Sequence, residues 1–161
     1  MKALFQDDVE AMNYYMNKVV MATFSYFDVG GDGLESSEPE RFYHGFVLGM
    51  LVELADRYVV TSNRESGFGR YDVILEPYIV SGVQESSMSQ NDYTGRDAII
   101  IEFKVQDEEE KELTDTVREA LWQIDEKNYQ AGLIAKGFPE ERIRKYGFAF
   151  CGKRVLIGSD S

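Results

Sequence analysis

Four apolar residues, Ala98-Ile99-Ile100-Ile101, follow one another without a polar interruption. Successive residues of a strand point to opposite faces, so this run has to be covered on both sides. That places it at the centre of a sheet with helices packed on its two faces. Directly beyond the run stand Glu102 and Lys104, two residues apart and therefore on one face, separated by Phe103. Charges that enter a buried strand are costly unless they are paired or bound to a cation.

The rest of the chain supplies the other layers. Phe5, Val9, Met12, Met16, Val19 and Thr23 recur at helical spacing over Leu4 to Tyr26. A glycine-rich linker follows over Asp28 to Gly33. Ser37-Glu38-Pro39-Glu40 then reads as a capping box opening a helix to about Arg57, with Tyr43, Val47, Leu51 and Tyr58 along one stripe. The period changes to two for a short strand Tyr58 to Ser62, a turn Asn63 to Gly69 and a strand Arg70 to Tyr78. After a polar loop, Ser81 to Arg96, the central strand spans Asp97 to Val105. A second long helix is expected over Asp107 to Tyr129, buried along Leu113, Val117, Ala120, Leu121 and Ile124. A helical turn near Pro139 to Arg144 precedes two final strands, Tyr146 to Cys151 and Arg154 to Ile157. The order is helix, three strands, helix, two strands: an α/β fold with a mixed central sheet flanked by helices and an N-terminal helix. The step from Ile99 through the long helix to Phe148 is a crossover that makes two strands parallel. Residues 1–33 form the helix and linker, 34–158 the main domain and 159–161 a tail.

Charge limits the partners. The 161 residues carry 29 acids and 17 bases, a formal net of −12 that argues against non-specific nucleic-acid binding. The acids are concentrated: Asp107 to Glu126 holds nine, whereas Lys136 to Arg154 holds six bases. One cysteine, Cys151, allows no internal disulfide and suits a reducing, cytoplasmic setting. No apolar stretch approaches the roughly 20 residues of a membrane helix, so no membrane is expected as a partner.

Asp72, in the second strand, is a further charge within an apolar segment. Were that strand to neighbour the central one, Asp72, Glu102 and Lys104 would converge. Two readings then stand: an oxygen site for a hard divalent cation, or a structural ion pair of Lys104 with Glu102 or Asp72.

Asp72 followed by Ile101-Glu102-Phe103-Lys104 resembles the signature of the PD-(D/E)XK nuclease superfamily, the restriction-endonuclease-like fold. Phe42-Tyr43-His44-Gly45-Phe46, Ser62-Asn63-Arg64-Glu65-Ser66-Gly67, Gly69-Arg70-Tyr71-Asp72, Glu119-Ala120-Leu121 with Gln123-Ile124, and Tyr146-Gly147-Phe148-Ala149-Phe150 with Gly152-Lys153 narrow the likeness. Together they are similar to the family found C-terminal to an AAA-type ATPase-like domain in many bacterial proteins. The resemblance implies a metal-dependent nuclease that hydrolyses phosphodiester bonds, with DNA as the expected nucleic acid. It implies Asp72, Glu102 and the backbone carbonyl of Phe103 as ligands of Mg²⁺ or Mn²⁺, and Lys104 as the cation that positions or deprotonates water. His44 on the first long helix is a further metal-ligand candidate; the opposing reading is a packed imidazole. Gln123, Arg70, Arg64 and Lys153 are candidates for holding substrate. The alternative function is a catalytically weak or silent module that binds or regulates an ATPase partner, and self-association is compatible with either. Trp122 and Tyr129 read as contacts to the N-terminal helix or a partner.

Overall fold

The computed structural model describes residues 2–24, 37–66, 69–78 and 96–160, and of 37–41, 63–66 and 69–71 the backbone alone. The elements are α1 (Lys2–Phe5), α2 (Val9–Thr23), α3 (Ser37–Leu51), β1 (Tyr58–Ser66), β2 (Gly69–Pro77), β3 (Ala98–Val105), α4 (Leu113–Glu126), α5 (Ala131–Ala135), β4 (Ile143–Cys151) and β5 (Arg154–Ser159). The strands form one sheet in the order β1-β2-β3-β4-β5. The β3–β4 pair is parallel and the other pairs are antiparallel. No helix among the described residues is long and apolar enough to cross a membrane.

β3 is central and buried on both faces, as its apolar run requires. Val73, Ile99, Ile101, Phe103, Phe148 and Phe150 point to one face and pack with α1, α2 and α3. Ile74, Ala98 and Ile100 point to the other, against Ile124 and Tyr129, while Ala149 on that face meets Val117.

Boundaries depart from the sequence reading where side chains compete for the backbone. The N-terminal helix is two helices, because Asp7 takes φ 55° and Asp8 caps α2 by accepting from the Ala11 N–H at 2.9 Å. The Tyr146 hydroxyl holds that corner, donating to Asp7 Oδ1 at 2.5 Å. α3 stops at Leu51, and a 3₁₀ turn, Val52–Leu54, follows it. The first strand runs on to Ser66, where a turn was expected, because backbone pairing such as Arg64↔Tyr71 does not depend on side-chain polarity. α4 starts six residues late because the acids before it bond to the turn: Glu110 Oε2 accepts from Asp107 N–H at 2.9 Å and from Thr116 Oγ1 at 2.7 Å. The expected capping box at Ser37 and the linker near Asp28 lie outside the described side chains and residues.

α2 closes the sheet edge. Asn13 accepts from Ile157 N–H and donates to the Ile157 carbonyl, both at 2.8 Å. One turn later Asn17 does the same with Val155, at 2.9 and 2.7 Å. Four residues of helix rise about 6 Å and two of strand about 6.6 Å, so the two amides match alternate residues of β5.

α4 comes close to the sheet because two facing strand positions lack side chains. Gly147 and Gly158 are cross-strand partners, and Gly147 also pairs with Glu102. A Cβ on Gly147 would lie 2.8 Å from the Val117 carbonyl oxygen, and one on Gly158 2.6 Å from Val117 Cγ1. Gly147→Ala is expected to cost about 1–3 kcal/mol, as overpacking of a filled interface does; chemical denaturation reads it, and an unchanged midpoint would refute the close approach.

Among the described residues four tyrosines are buried: Tyr43, Tyr58, Tyr129 and Tyr146. Burial is the largest cause in each of a raised pKa, pushed up to about 12 for Tyr43, whose hydroxyl donates to the Gly152 carbonyl at 2.7 Å. Above pH 10 the unfolded phenols lose protons that the folded ones keep, so stability falls as pH rises through that range. Absorbance titration at 295 nm should show these four ionising late and together with unfolding; ionisation of all ten tyrosines near pH 10 in folded protein would contradict it.

Candidate active site

The site begins where β2 and β3 part. Their ladder runs from Leu75↔Ile99 to Val73↔Ile101, and the next residues in register are Asp72 and Glu102. There the Asp72 carboxylate takes over from the ladder: its Oδ2 accepts the backbone N–H of Phe103 at 2.9 Å. The bond is charge-assisted and fixes the side chain against β3. Asp72 precedes Ile74 by two residues and Glu102 follows Ile100 by two, so both carboxylates stand on the face covered by α4.

Glu102 is buried, 3% exposed. Its Oε1 accepts a hydrogen bond from Gln123 Nε2, and the same amide reaches the Tyr129 hydroxyl at 3.1 Å. Tyr129 carries the electrostatic signature of the cluster. Burial raises its pKa most, the Gln123 bond opposes that, and the charges of Glu102 and Asp72 raise it further. Both carboxylates therefore act electrostatically on one hydroxyl.

Lys104 pairs with neither carboxylate. Its Nζ lies 3.3 Å from Glu119 Oε1 on α4. Glu119 and Gln123 are one helical turn apart and meet Lys104 and Glu102, two residues apart on β3. A helical step of about 6 Å again matches a strand step of about 6.6 Å. The alternative reading of these charges, an ion pair of Lys104 with Glu102 or Asp72, is not what forms; Lys104 pairs across the layers with Glu119.

The remaining candidates are placed apart. The His44 ring stacks on Phe103 at 5.4 Å, and its Nε2 is 2.8 Å from Ser62 Oγ. Phe103 points to the α3 face, opposite its neighbour Glu102, so the sheet stands between His44 and the carboxylates. Lys153 stands in the β4–β5 turn, and the side chains of Arg64 and Arg70 are outside those described. Trp122 is 59% exposed, while Tyr129, read as its companion on an outer face, is 1% exposed and belongs to the site. Helical spacing does not reach Tyr129, because Asn128 takes φ 51° and the Tyr129 N–H closes the helix on the Ile124 carbonyl. Glu119 was also missed as a site residue; the signal for it was its four-residue spacing from Gln123.

The donors suit a hard cation. Two carboxylates and a backbone oxygen are oxygen-only ligands, the set that Mg²⁺ or Mn²⁺ takes while keeping positions for water and phosphate. Among the described residues no group of three His, Cys, Asp or Glu side chains forms a fuller cage.

A family model described as the PD-(D/E)XK nuclease superfamily matches residues 38–160. The chain belongs to that superfamily. In this PD-(D/E)XK protein the five-stranded mixed sheet with helices on both faces is the restriction-endonuclease-like fold. No curated protein and no solved structure matches the chain.

Proposed function

We propose that this PD-(D/E)XK protein is a divalent-metal-dependent nuclease that hydrolyses phosphodiester bonds in DNA, with Asp72, Glu102 and Lys104 as its catalytic residues. The observation that carries the reading is the departure of β2 from β3 at Asp72, which leaves two carboxylates side by side on one face. Asp72, Glu102 and the Phe103 carbonyl would hold Mg²⁺ or Mn²⁺. The Phe103 N–H points toward β2, and the carbonyl of a strand residue leaves on the same edge as its N–H. A cation held by these residues would supply Lewis-acid activation of the scissile phosphate.

The protein's own groups do the rest. Gln123 donates to Glu102 Oε1 and so restrains the carboxylate. Lys104, two residues beyond Glu102 on the same face of β3 and 23% exposed at the side chain, would orient the attacking water. The inner wall of β3 and α4 excludes bulk solvent from Glu102. Arg64, Arg70 and Lys153 are the proposed phosphate contacts.

The second reading, a silent module that regulates an AAA-type ATPase-like partner, is favoured by the net charge of −12 and by the Lys104–Glu119 pair. One experiment separates the two. Calorimetric titration with Mn²⁺ followed by incubation with plasmid and oligonucleotide DNA should show saturable binding and metal-dependent cleavage at low salt. Binding without cleavage leaves the silent module, and no binding removes the metal site.

A further inference from the structure

We infer that a cleft on the opposite face of the sheet, at the start of β1, β3 and β4, is a binding site for a phosphate group. The inference does not rest on the nuclease reading. The cavity measures about 250 Å³ and is lined by Arg57, Arg96, Arg144 and Asp97, with Phe5 and Tyr58 as apolar walls. Arg142 joins from the side, its Nε 2.7 Å from Asp97 Oδ1, and Arg144 Nη2 bonds to the other oxygen of that carboxylate.

Three arginines thus line one cleft and a fourth stands beside it, two of the four bonded to Asp97, in a chain whose formal charge is −12. Among the described residues the other acid paired into the group is Asp56, 3.5 Å from Arg57 and 68% exposed, a contact that water competes with.

The cleft is rich in donors and poor in acceptors. Each guanidinium brings five N–H groups, and Asp97 offers two oxygens. Arg142 Nη2 is buried without a hydrogen-bond partner among the described residues, and Arg144 Nη1 reaches the Leu4 and Phe5 carbonyls only at 3.4 and 3.3 Å. A phosphate offers the tetrahedral set of oxygens that such forks bind in pairs. A free phosphate ion and the phosphate end of a mononucleotide share that chemistry, and the volume admits either.

The cleft is separate from the carboxylates. Ile99 and its register partner Arg144 face α3, whereas Glu102 faces α4 about 10 Å further along β3.

The test is calorimetry on the full chain in phosphate-free buffer, with inorganic phosphate, a nucleoside 5′-monophosphate and the unphosphorylated nucleoside. One saturable site for phosphate is expected. Arg57→Gln with Arg96→Gln should weaken it at least tenfold, since both side chains are exposed at the rim, and Glu102→Gln should leave it unchanged. A monophosphate that binds tighter than the ion, with a silent nucleoside, identifies a nucleotide end; equal affinities identify the free anion. Should the double variant fail to fold, Arg96→Gln alone, read by phosphorus NMR line broadening, must show at least a threefold loss. No saturable binding, undiminished binding in the arginine variants, or loss in Glu102→Gln would each overturn the site.

Discussion

Glu102→Gln is expected to abolish divalent-cation binding and to lower DNA cleavage about a thousandfold or more, equivalent to about 4 kcal/mol of lost activation. The change removes one negative charge from a 3% exposed position and keeps the side chain's length. The fold should persist, because a neutral amide is easier to bury than a carboxylate. Lys104→Ala separates the roles. Cleavage should fall comparably, but cation affinity should hold or rise, since a positive charge leaves the vicinity of the ligands. Manganese calorimetry and an oligonucleotide assay on both variants decide the matter. Weaker metal binding in Lys104→Ala would contradict its assignment, and full activity in Glu102→Gln would end the nuclease reading.

The second large effect concerns stability. Asn13→Ala combined with Asn17→Ala removes four hydrogen bonds between α2 and the outer edge of β5. At a net value of about 1 kcal/mol each, the double variant should lose roughly 4 kcal/mol. The uncovered N–H and C=O groups then form a bare sheet edge, which pairs readily with other chains. Urea unfolding should show the lost stability, and light scattering a concentration-dependent increase in size. A double variant with wild-type midpoint and size would show that the asparagines contribute nothing.

The sequence is most legible where one periodicity governs many residues. The apolar run before Glu102 located the central strand, and the two-residue step to Lys104 put both charges on one face. The stripe from Leu113 to Ile124 located α4. What local pattern cannot supply is register between distant segments. Opposing Asp72 to Glu102 depends on the ladder from Leu75↔Ile99 to Val73↔Ile101, and no property of either strand alone specifies it. Tyr129 was misplaced because a helical projection assumes that the helix continues, and Asn128 in the left-handed region ends that assumption. The arginine cleft joins positions 57, 96, 142 and 144, which no window of sequence brings together. Asn13 and Asn17 looked like polar positions on an amphipathic helix; their bonds run to the other end of the chain.

The glycine pair on β4 and β5 ties folding quality to chemistry. Val117 rests on Gly147 and Gly158, and the same helix carries Glu119 and Gln123 two and six residues further on. A bulkier residue under Val117 would lift the helix as a lever, so that Lys104 and Glu102 would lose their partners in the same motion. Hydrogen bonds weaken steeply over a few tenths of an ångström. A substitution two strands from the carboxylates, harmless by its chemistry, would therefore be read in an assay as a defect in catalysis. Variation in this sheet is constrained by the clearance under one valine as much as by the acids proposed to carry out the reaction.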